Sequence, residues 1–79
     1  MKINVLFFGA TAALVGSRKV ETAVSESAVA AGVIEQLHLE YPNLKDHKLL
    51  FAVNEEYVAG DFALKDGDEL AIFTAVSGG

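Results

Sequence analysis

The sequence contains no cysteine, and histidine, proline and positive charge are scarce. Without a thiol the chain forms no disulfide, offers no thiolate nucleophile and binds no metal through sulfur. His38 and His47 lack the H-x-H or H-x-x-x-H spacing of a metal site, so we expect them to face solvent or to pack. Glycine-rich phosphate-binding motifs are missing as well. These absences predict a chain that binds no metal and no other cofactor of its own.

Negative charge dominates the chain, with 11 Asp and Glu residues against 6 Lys and Arg and a net charge of −5. Arg18 and Lys19 form the only adjacent basic pair. Because phosphate backbones and anionic membrane surfaces repel such a chain, we expect neither nucleic acid nor a membrane as partner. The apolar stretch over residues 3–15 is too short to cross a bilayer and is interrupted by Asn4. We therefore predict a cytoplasmic protein whose acidic surface suits a basic protein partner.

Apolar side chains are plentiful and make up 52% of the 79 residues. This length allows one small domain, which we place at residues 1–76. Period-two alternation of apolar residues predicts strands, and the i, i+4 spacing of Val29, Val33, Leu37 and Tyr41 predicts the main helix. The predicted strands cover residues 2–8, 19–24, 48–53, 57–59 and 69–76, and the predicted helices cover residues 10–15 and 28–40.

The order of these elements predicts an α+β domain in which one main helix packs on one face of a mixed four- or five-stranded sheet. The first and last strands are expected to be parallel neighbours at the centre of this sheet. Its other face stays open. Residues 77–79 then form a flexible C-terminal tail beyond the domain.

Several local signals refine this picture. Ser25 or Ser27 is the expected N-cap of the main helix, and Gly32 is expected to mark close packing against the sheet. Residues 54–56 predict a hairpin turn, since Asn tolerates a positive φ. The segment 66–68 predicts a tight turn, because it lacks the oxygen-ligand frame of a calcium loop.

Apolar residues of one parity are expected to share the open face of the sheet. Exposed aromatic clusters of this kind mark partner sites. The alternative is that some of these rings belong to the core. The residues are Leu6, Phe8, Tyr57, Ala71, Phe73 and Ala75.

The chain ends in Val76-Ser77-Gly78-Gly79. Two residues without a Cβ form a thin segment that can enter a narrow channel. The carboxylate of Gly79 is ionised at pH 7 and is a poor electrophile, so it reacts only after an ATP-dependent partner has activated it. The chain itself contains no residues for that activation. If this end is functional, Gly79 is the predicted reacting group and Gly78 belongs to the segment that presents it; the alternative is an ordinary frayed terminus.

The ordered motifs of the whole chain resemble the small, sulfur-carrying subunits of molybdopterin synthase. That resemblance implies a β-grasp, ubiquitin-like fold. The motifs are Phe7-Phe8, Ala13-Leu14-Val15-Gly16, Tyr41-Pro42, Ala52-Val53-Asn54, Leu64-Lys65-Asp66-Gly67-Asp68-Glu69 and Val76-Ser77-Gly78-Gly79.

By this resemblance, an E1-like activating enzyme uses ATP to adenylate Gly79 and then converts it to a thiocarboxylate. The tail, with Val76 and Ser77, inserts into the large subunit of a heterotetrameric synthase. There the sulfur passes to cyclic pyranopterin monophosphate in the biosynthesis of molybdenum cofactor. The chain is then a carrier subunit with no catalytic site of its own.

Two features depart from the family pattern. Thr74-Ala75 stands where the family usually has Pro-Pro, so the tail is expected to be less stiff. The stretch 10–13 is uncharged where the family often has an arginine, which removes that ionic contact to the large subunit.

Three other functions remain open. A thiamine-pathway sulfur carrier shares the fold and tail but usually joins its first two strands by a tight hairpin, whereas residues 9–18 intervene here. A ubiquitin-like protein modifier would join Gly79 to lysines of other proteins. A plain β-grasp interaction domain would leave the tail without chemistry.

Overall fold

The structure, a computed structural model, describes residues 1–74, and residues 75–79 lie outside this range. The predicted end of the last strand at residues 75 and 76 and the predicted tail 77–79 therefore fall outside the described residues. The described elements are β1 (Lys2–Phe7), α1 (Ala10–Val15), β2 (Lys19–Ala23), α2 (Ala30–Glu40), a 3₁₀ helix (Pro42–Asp46), β3 (Leu49–Val53), β4 (Glu56–Tyr57) and β5 (Glu69–Thr74).

The strands form one mixed sheet in the order β2-β1-β5-β3-β4. β1 and β5 are parallel at its centre, with Asn4 opposite Glu69 and Phe7 opposite Ile72. β2 pairs with β1, β3 with β5 and β4 with β3, all antiparallel. The predicted fold class is confirmed, including the parallel contact between the first and last strands.

One face of the sheet carries the core. Side chains alternate along a strand, so Ile3, Val5 and Phe7 point to the same side, and all three are buried. Val33 and Leu37 of α2 belong to the same buried cluster. Burial of each such side chain stabilises the fold by about 1.5–3 kcal/mol. The predicted apolar stripe of the main helix therefore covers this face.

The start of α2 differs from the prediction. The helix begins at Ala30, and no side chain caps it. The backbone N–H groups of Ala30 and Ala31 instead donate to the carbonyl oxygens of Phe62 and Gly60, at 3.1 and 2.9 Å. The predicted caps, Ser25 and Ser27, were wrong because a loop distant in sequence satisfies these first-turn donors.

Close packing occurs at a different glycine from the predicted one. A Cβ atom placed on Gly32 would meet only a methyl group of Val29, at 4.0 Å. A Cβ atom on Gly60 would lie 3.0 Å from the Cβ of Ala31, which is tighter than nine in ten real Cβ contacts. A side chain at residue 60 would therefore require Ala31 to shift, and the expectation for Gly32 was wrong.

The hairpin between β3 and β4 has a two-residue turn. Asn54 and Glu55 both have positive φ angles, 48° and 71°, as a type I′ turn requires. Val53 pairs with Glu56, so Glu56 belongs to β4 rather than to the turn. The predicted turn was one residue too long, and β4 ends at Tyr57 rather than at residue 59.

Side-chain hydrogen bonds hold the end of the sheet at which β1 and β5 begin. Asn54 donates from Nδ2 to Oδ1 of Asp68 at 3.0 Å and accepts the N–H of Glu69 at 3.0 Å. Asp66 accepts the N–H of Lys2 at 2.8 Å. The segment 66–68 is a turn, as predicted. We call this end, formed by Asn54, Asp66 and Asp68, the turn end.

Candidate functional site

β5 runs toward the C-terminal residues at the opposite end of the sheet. Because Phe7 pairs with Ile72 in parallel, β1 ends beside the last residues of β5. β2 is antiparallel to β1, and Lys19 lies opposite Leu6, so β2 begins here as well. We call this end, formed by Phe7, Lys19 and Thr74, the tail end. Thr74, the last residue that the structure describes, lies at this end.

The side of the sheet away from α2 carries apolar side chains across four strands. Leu6 lies opposite Ala71, Ala71 opposite Ala52, and Ala52 opposite Tyr57, so the strand register puts these residues on one face. Phe73 and Leu50 form the next cross-strand pair toward the tail end. We call these six residues the open face: Leu6, Leu50, Ala52, Tyr57, Ala71 and Phe73.

The two aromatic rings of the open face contact each other. Tyr57 and Phe73 pack edge to face, with ring centroids 5.9 Å apart and an interplanar angle of 70°. Tyr57 is nevertheless 76% exposed and Leu50 is also exposed. Because the two rings already contact each other in the single chain, covering the pair costs less side-chain entropy than covering two separate rings.

Phe8 follows the last residue of β1 and is 50% exposed. Beside it the surface forms an open groove with a volume of about 470 Å³. Leu6 belongs both to this groove and to the open face, so the two are continuous. The groove is lined by Leu6, Phe7, Phe8, Gly9, Ala12, Arg18 and Lys19.

Of the predicted interface residues, the structure brings Tyr57 and Phe73 into direct contact and places Phe8 in the adjoining groove. The other predicted site residues are outside the described range: Ala75, Val76, Ser77, Gly78 and Gly79.

A buried threonine that the sequence analysis did not single out holds α1 to β5. Thr11 is fully buried, and its hydroxyl oxygen lies 2.6 Å from the carbonyl oxygen of Phe8 and 3.1 Å from that of Ile72. The N–H of Phe8 also donates to the Ile72 carbonyl, at 3.0 Å. These bonds fix the chain two residues before Thr74. Only the buried position of Thr11 distinguishes it from a surface threonine, so the sequence carries no signal for it.

The remaining candidate groups lie apart from this site. His47 is exposed, whereas His38 is partly buried and its Nε2 atom has no partner among the described residues. Residues 1–74 contain no cluster of side chains able to hold a metal ion. Among these residues no helix is long and apolar enough to cross a membrane.

This combination of fold and site defines a class of protein: a ubiquitin-like β-grasp domain that presents an apolar sheet face beside the end of its last strand. The family model that matches residues 5–79 of the chain is described as the ThiS family. The chain belongs to this family.

Individual relatives are more specific than the family as a whole. The molybdopterin synthase sulfur carrier subunit of Escherichia coli is 41% identical, and the match covers 98% of this chain and 99% of the relative. A crystal structure of SAMP1, small archaeal modifier protein 1 of Haloferax volcanii, is 30% identical with a TM-score of 0.86 and covers all of both chains.

A second similar structure contains two proteins. It is a complex of subunits 1 and 2 of molybdopterin-converting factor from Helicobacter pylori, with 22% identity, a TM-score of 0.70 and full coverage of both matched chains. At this identity the likeness supports the fold. Curated relatives of the chain are thus carrier subunits of a synthase, and one fold neighbour has been solved together with a partner subunit.

Proposed function

We propose that this protein is the sulfur carrier subunit of a molybdopterin synthase and that Gly79 carries the sulfur as a thiocarboxylate. The observation that supports the proposal best is the full-length similarity to the carrier subunit of Escherichia coli. The geometry agrees with it, because β5 ends beside an apolar face that a partner can cover. The described residues serve to dock the domain, and the reacting atom belongs to Gly79.

The chemistry proceeds in two stages on partner proteins. On an E1-like enzyme the carboxylate of Gly79 attacks the α-phosphorus of ATP, and pyrophosphate leaves. A sulfur donor then displaces AMP from the acyl-adenylate, which forms the C–S bond of the thiocarboxylate. Activation is required because an ionised carboxylate is a poor electrophile.

In the second stage the large subunit binds the loaded carrier and cyclic pyranopterin monophosphate. The thiocarboxylate sulfur attacks a carbon of that substrate and displaces the oxygen substituent bonded to it, and water then cleaves the acyl C–S bond. This returns the Gly79 carboxylate and leaves the sulfur on the product. A heterotetramer with two carriers supplies both sulfurs of the dithiolene.

The open face is the proposed contact with the large subunit. Tyr57 and Leu50 are exposed in the single chain, and Phe73 is partly exposed. Each large ring contributes roughly 1.5–3 kcal/mol when a partner removes it from water. Phe8, Tyr57 and Phe73 are the proposed anchors, and Ala75, Val76 and Ser77 the proposed continuation into the partner.

Intact-protein mass spectrometry tests the carrier chemistry directly. The chain is incubated with the activating enzyme, ATP and a sulfur donor. We expect one oxygen of Gly79 to be replaced by sulfur, and a variant without Gly79 to keep its mass. An unchanged mass under conditions that convert the Escherichia coli carrier would contradict the proposal.

A second candidate is a ubiquitin-like protein modifier, because a structure with 30% identity is that of small archaeal modifier protein 1. Here the activated Gly79 would form an isopeptide bond to lysines of other proteins. Immunoblots of cells that express a tagged chain distinguish the two functions. Ladders of conjugates that disappear on deletion of Gly79 would support modification.

A further inference from the structure

We propose that the groove at the tail end receives a carboxylate side chain of the large subunit, held by Arg18 and Lys19 beside the ring of Phe8. This inference rests on the proposed function, since the large subunit is the partner named there. It adds the chemistry that this part of the interface recognises. The supporting evidence is the position of the two cations, the absence of an ion pair to either of them within residues 1–74, and the continuity of the groove with the open face.

The fold fixes where the two cations stand. The N–H of Phe7 donates to the carbonyl oxygen of Arg18 at 2.9 Å, and Lys19 pairs with Leu6 across β1 and β2. The Ser17 hydroxyl donates to the carbonyl oxygen of Lys19 at 3.0 Å and orders the lead-in to β2. Both cationic side chains are exposed and line the groove.

A second groove lies at the turn end, and its charged side chains, unlike Arg18 and Lys19, bond to other groups of the chain. There Lys2 forms an ion pair with Glu21 at 3.4 Å, and the carboxylate of Asp66 accepts a backbone N–H at 2.8 Å. The charged groups of Lys2, Glu21 and Asp66 therefore have partners within the chain. Arg18 and Lys19, by comparison, form no ion pair with any residue of the range 1–74.

Charge is distributed unevenly along the sheet. Acidic residues gather at the turn end, on the β3–β4 turn, the 66–68 turn and the start of β5: Glu55, Glu56, Asp66, Asp68 and Glu69. The tail end carries Arg18, Lys19 and Lys48, which precedes the Leu49–Thr74 pair. The turn end also carries Lys2 and Lys65, but acidic residues outnumber them there, so an anionic partner group is favoured at the tail end.

The groove is continuous with the open face, so the protein that covers the open face is the one that occupies the groove. A protein that covers Phe73 and Leu6 with apolar side chains passes directly over Lys19, because Lys19 is the cross-strand neighbour of Leu6. A carboxylate at this position of the large subunit would pair with the cations while its apolar neighbours contact Phe8. Such a pair fixes the orientation of the domain and so directs β5 toward the partner's active site.

Zero-length crosslinking of the assembled complex tests this placement. A carbodiimide joins a lysine amine to a carboxylate only when the two are in contact. We expect a peptide in which Lys19 is linked to an Asp or Glu of the large subunit. A complex whose other lysines crosslink while Lys19 does not, or a link from Lys19 to a carboxylate of its own chain, would overturn the proposal.

Association kinetics give an independent test. The double variant Arg18→Glu/Lys19→Glu is compared with Lys45→Glu/Lys65→Glu, which changes the net charge equally but alters residues on the 3₁₀ helix and at the turn end. We expect the first variant to associate roughly 10-fold more slowly than the second at about 50 mM salt. The difference should shrink at about 500 mM salt, because screening shortens the range of the attraction.

The outcomes separate this proposal from the proposed function. Should the wild-type chain not bind the large subunit, the function is wrong and the proposed partner with it. Equal rates for the two double variants, with wild-type binding intact, refute only the role of the groove. Slower thiocarboxylation with unchanged binding to the large subunit would assign the groove to the activating enzyme instead. Arg18→Gln/Lys19→Gln serves as a milder variant if the charge reversal does not fold.

Discussion

At the turn end of the sheet, polar side chains bond to the backbone and to one another, whereas at the tail end the ring of Phe8 is exposed and the cations of Arg18 and Lys19 form no ion pair within residues 1–74. Asn54 and Asp68 connect β3 to β5 at the first end. At the second, Phe8 and Arg18 line an open groove. Under the proposed function, the turn end serves the stability of the domain and the tail end serves contact with other proteins. Substitutions at the two ends should change different measured quantities.

The largest effect is expected for Phe73→Asp on the open face. A buried charge at the centre of an interface carries a large desolvation cost, so affinity for the large subunit should fall by at least about 100-fold. The free energy of unfolding should change by no more than about 2 kcal/mol, since Phe73 is only partly buried. Titration calorimetry and thermal unfolding measure the two quantities.

Leu39→Asp is the matched control, because Leu39 is 76% exposed but lies on α2, on the other side of the sheet. The affinity of Leu39→Asp for the large subunit should equal that of the wild type. If Phe73→Asp also bound with wild-type affinity, the open face would not be the docking surface.

A smaller effect, on stability alone, is expected for Asn54→Ala at the turn end. The change removes the bonds to Asp68 and Glu69 and places alanine at a φ of 48°. We expect a loss of about 2 kcal/mol in the free energy of unfolding, and a melting temperature about 10 °C lower. Differential scanning calorimetry measures both.

Asn43→Ala provides the comparison for this change. Asn43 donates one hydrogen bond, to the carbonyl oxygen of Leu14 at 2.9 Å, and has no positive φ. The free energy of unfolding of Asn43→Ala should be lower than that of the wild type by about 1 kcal/mol or less. Asn54→Ala should also leave the affinity for the large subunit unchanged, and a marked loss of affinity would mean that the two ends are not independent.

The smallest effect is a gain in stability from Glu55→Gly. Glu55 has a φ of 71°, which costs a residue with a Cβ about 1–2 kcal/mol. Glycine relieves this cost but gains unfolded-state entropy worth about 0.4–1 kcal/mol, so we expect a net stabilisation of about 0.5–1 kcal/mol. Glu56→Gly should instead lower the midpoint of unfolding in urea, because Glu56 lies in β4 and glycine weakens a strand. A loss of stability in Glu55→Gly would show that the turn is not type I′.

Periodicity in the sequence was enough for most of the fold. Alternating apolar residues located β1, β2, β3 and β5 to within one or two residues where the structure describes them, and the helical stripe located α2. Errors arose where distant segments meet. The start of α2 depends on carbonyl groups of the loop at Gly60 and Phe62, and no local pattern predicts which loop will reach a helix.

The candidate site, like the fold, was predictable where it depends on local pattern and not where it depends on distant contacts. Parity along the strands was sufficient to group Leu6, Tyr57, Ala71 and Phe73 on one face, because the side-chain period of a strand is two. The contact between the rings of Tyr57 and Phe73 was not predictable, since it depends on β3 lying between their strands. Thr11 was missed for a similar reason, because its partner Ile72 is distant in sequence.

By itself the sequence determined which segments form strands and helices, which side chains are apolar on both faces of β1, and that the chain ends in two glycines. These are local properties, set by spacing and by side-chain chemistry. Only the tertiary structure decided that Arg18 and Lys19 lie at the tail end of the sheet, beside the last described residues of β5. It also decided that the acidic turns lie together at the turn end. Strand direction and register, which the packing of the whole sheet sets, place those distant residues together.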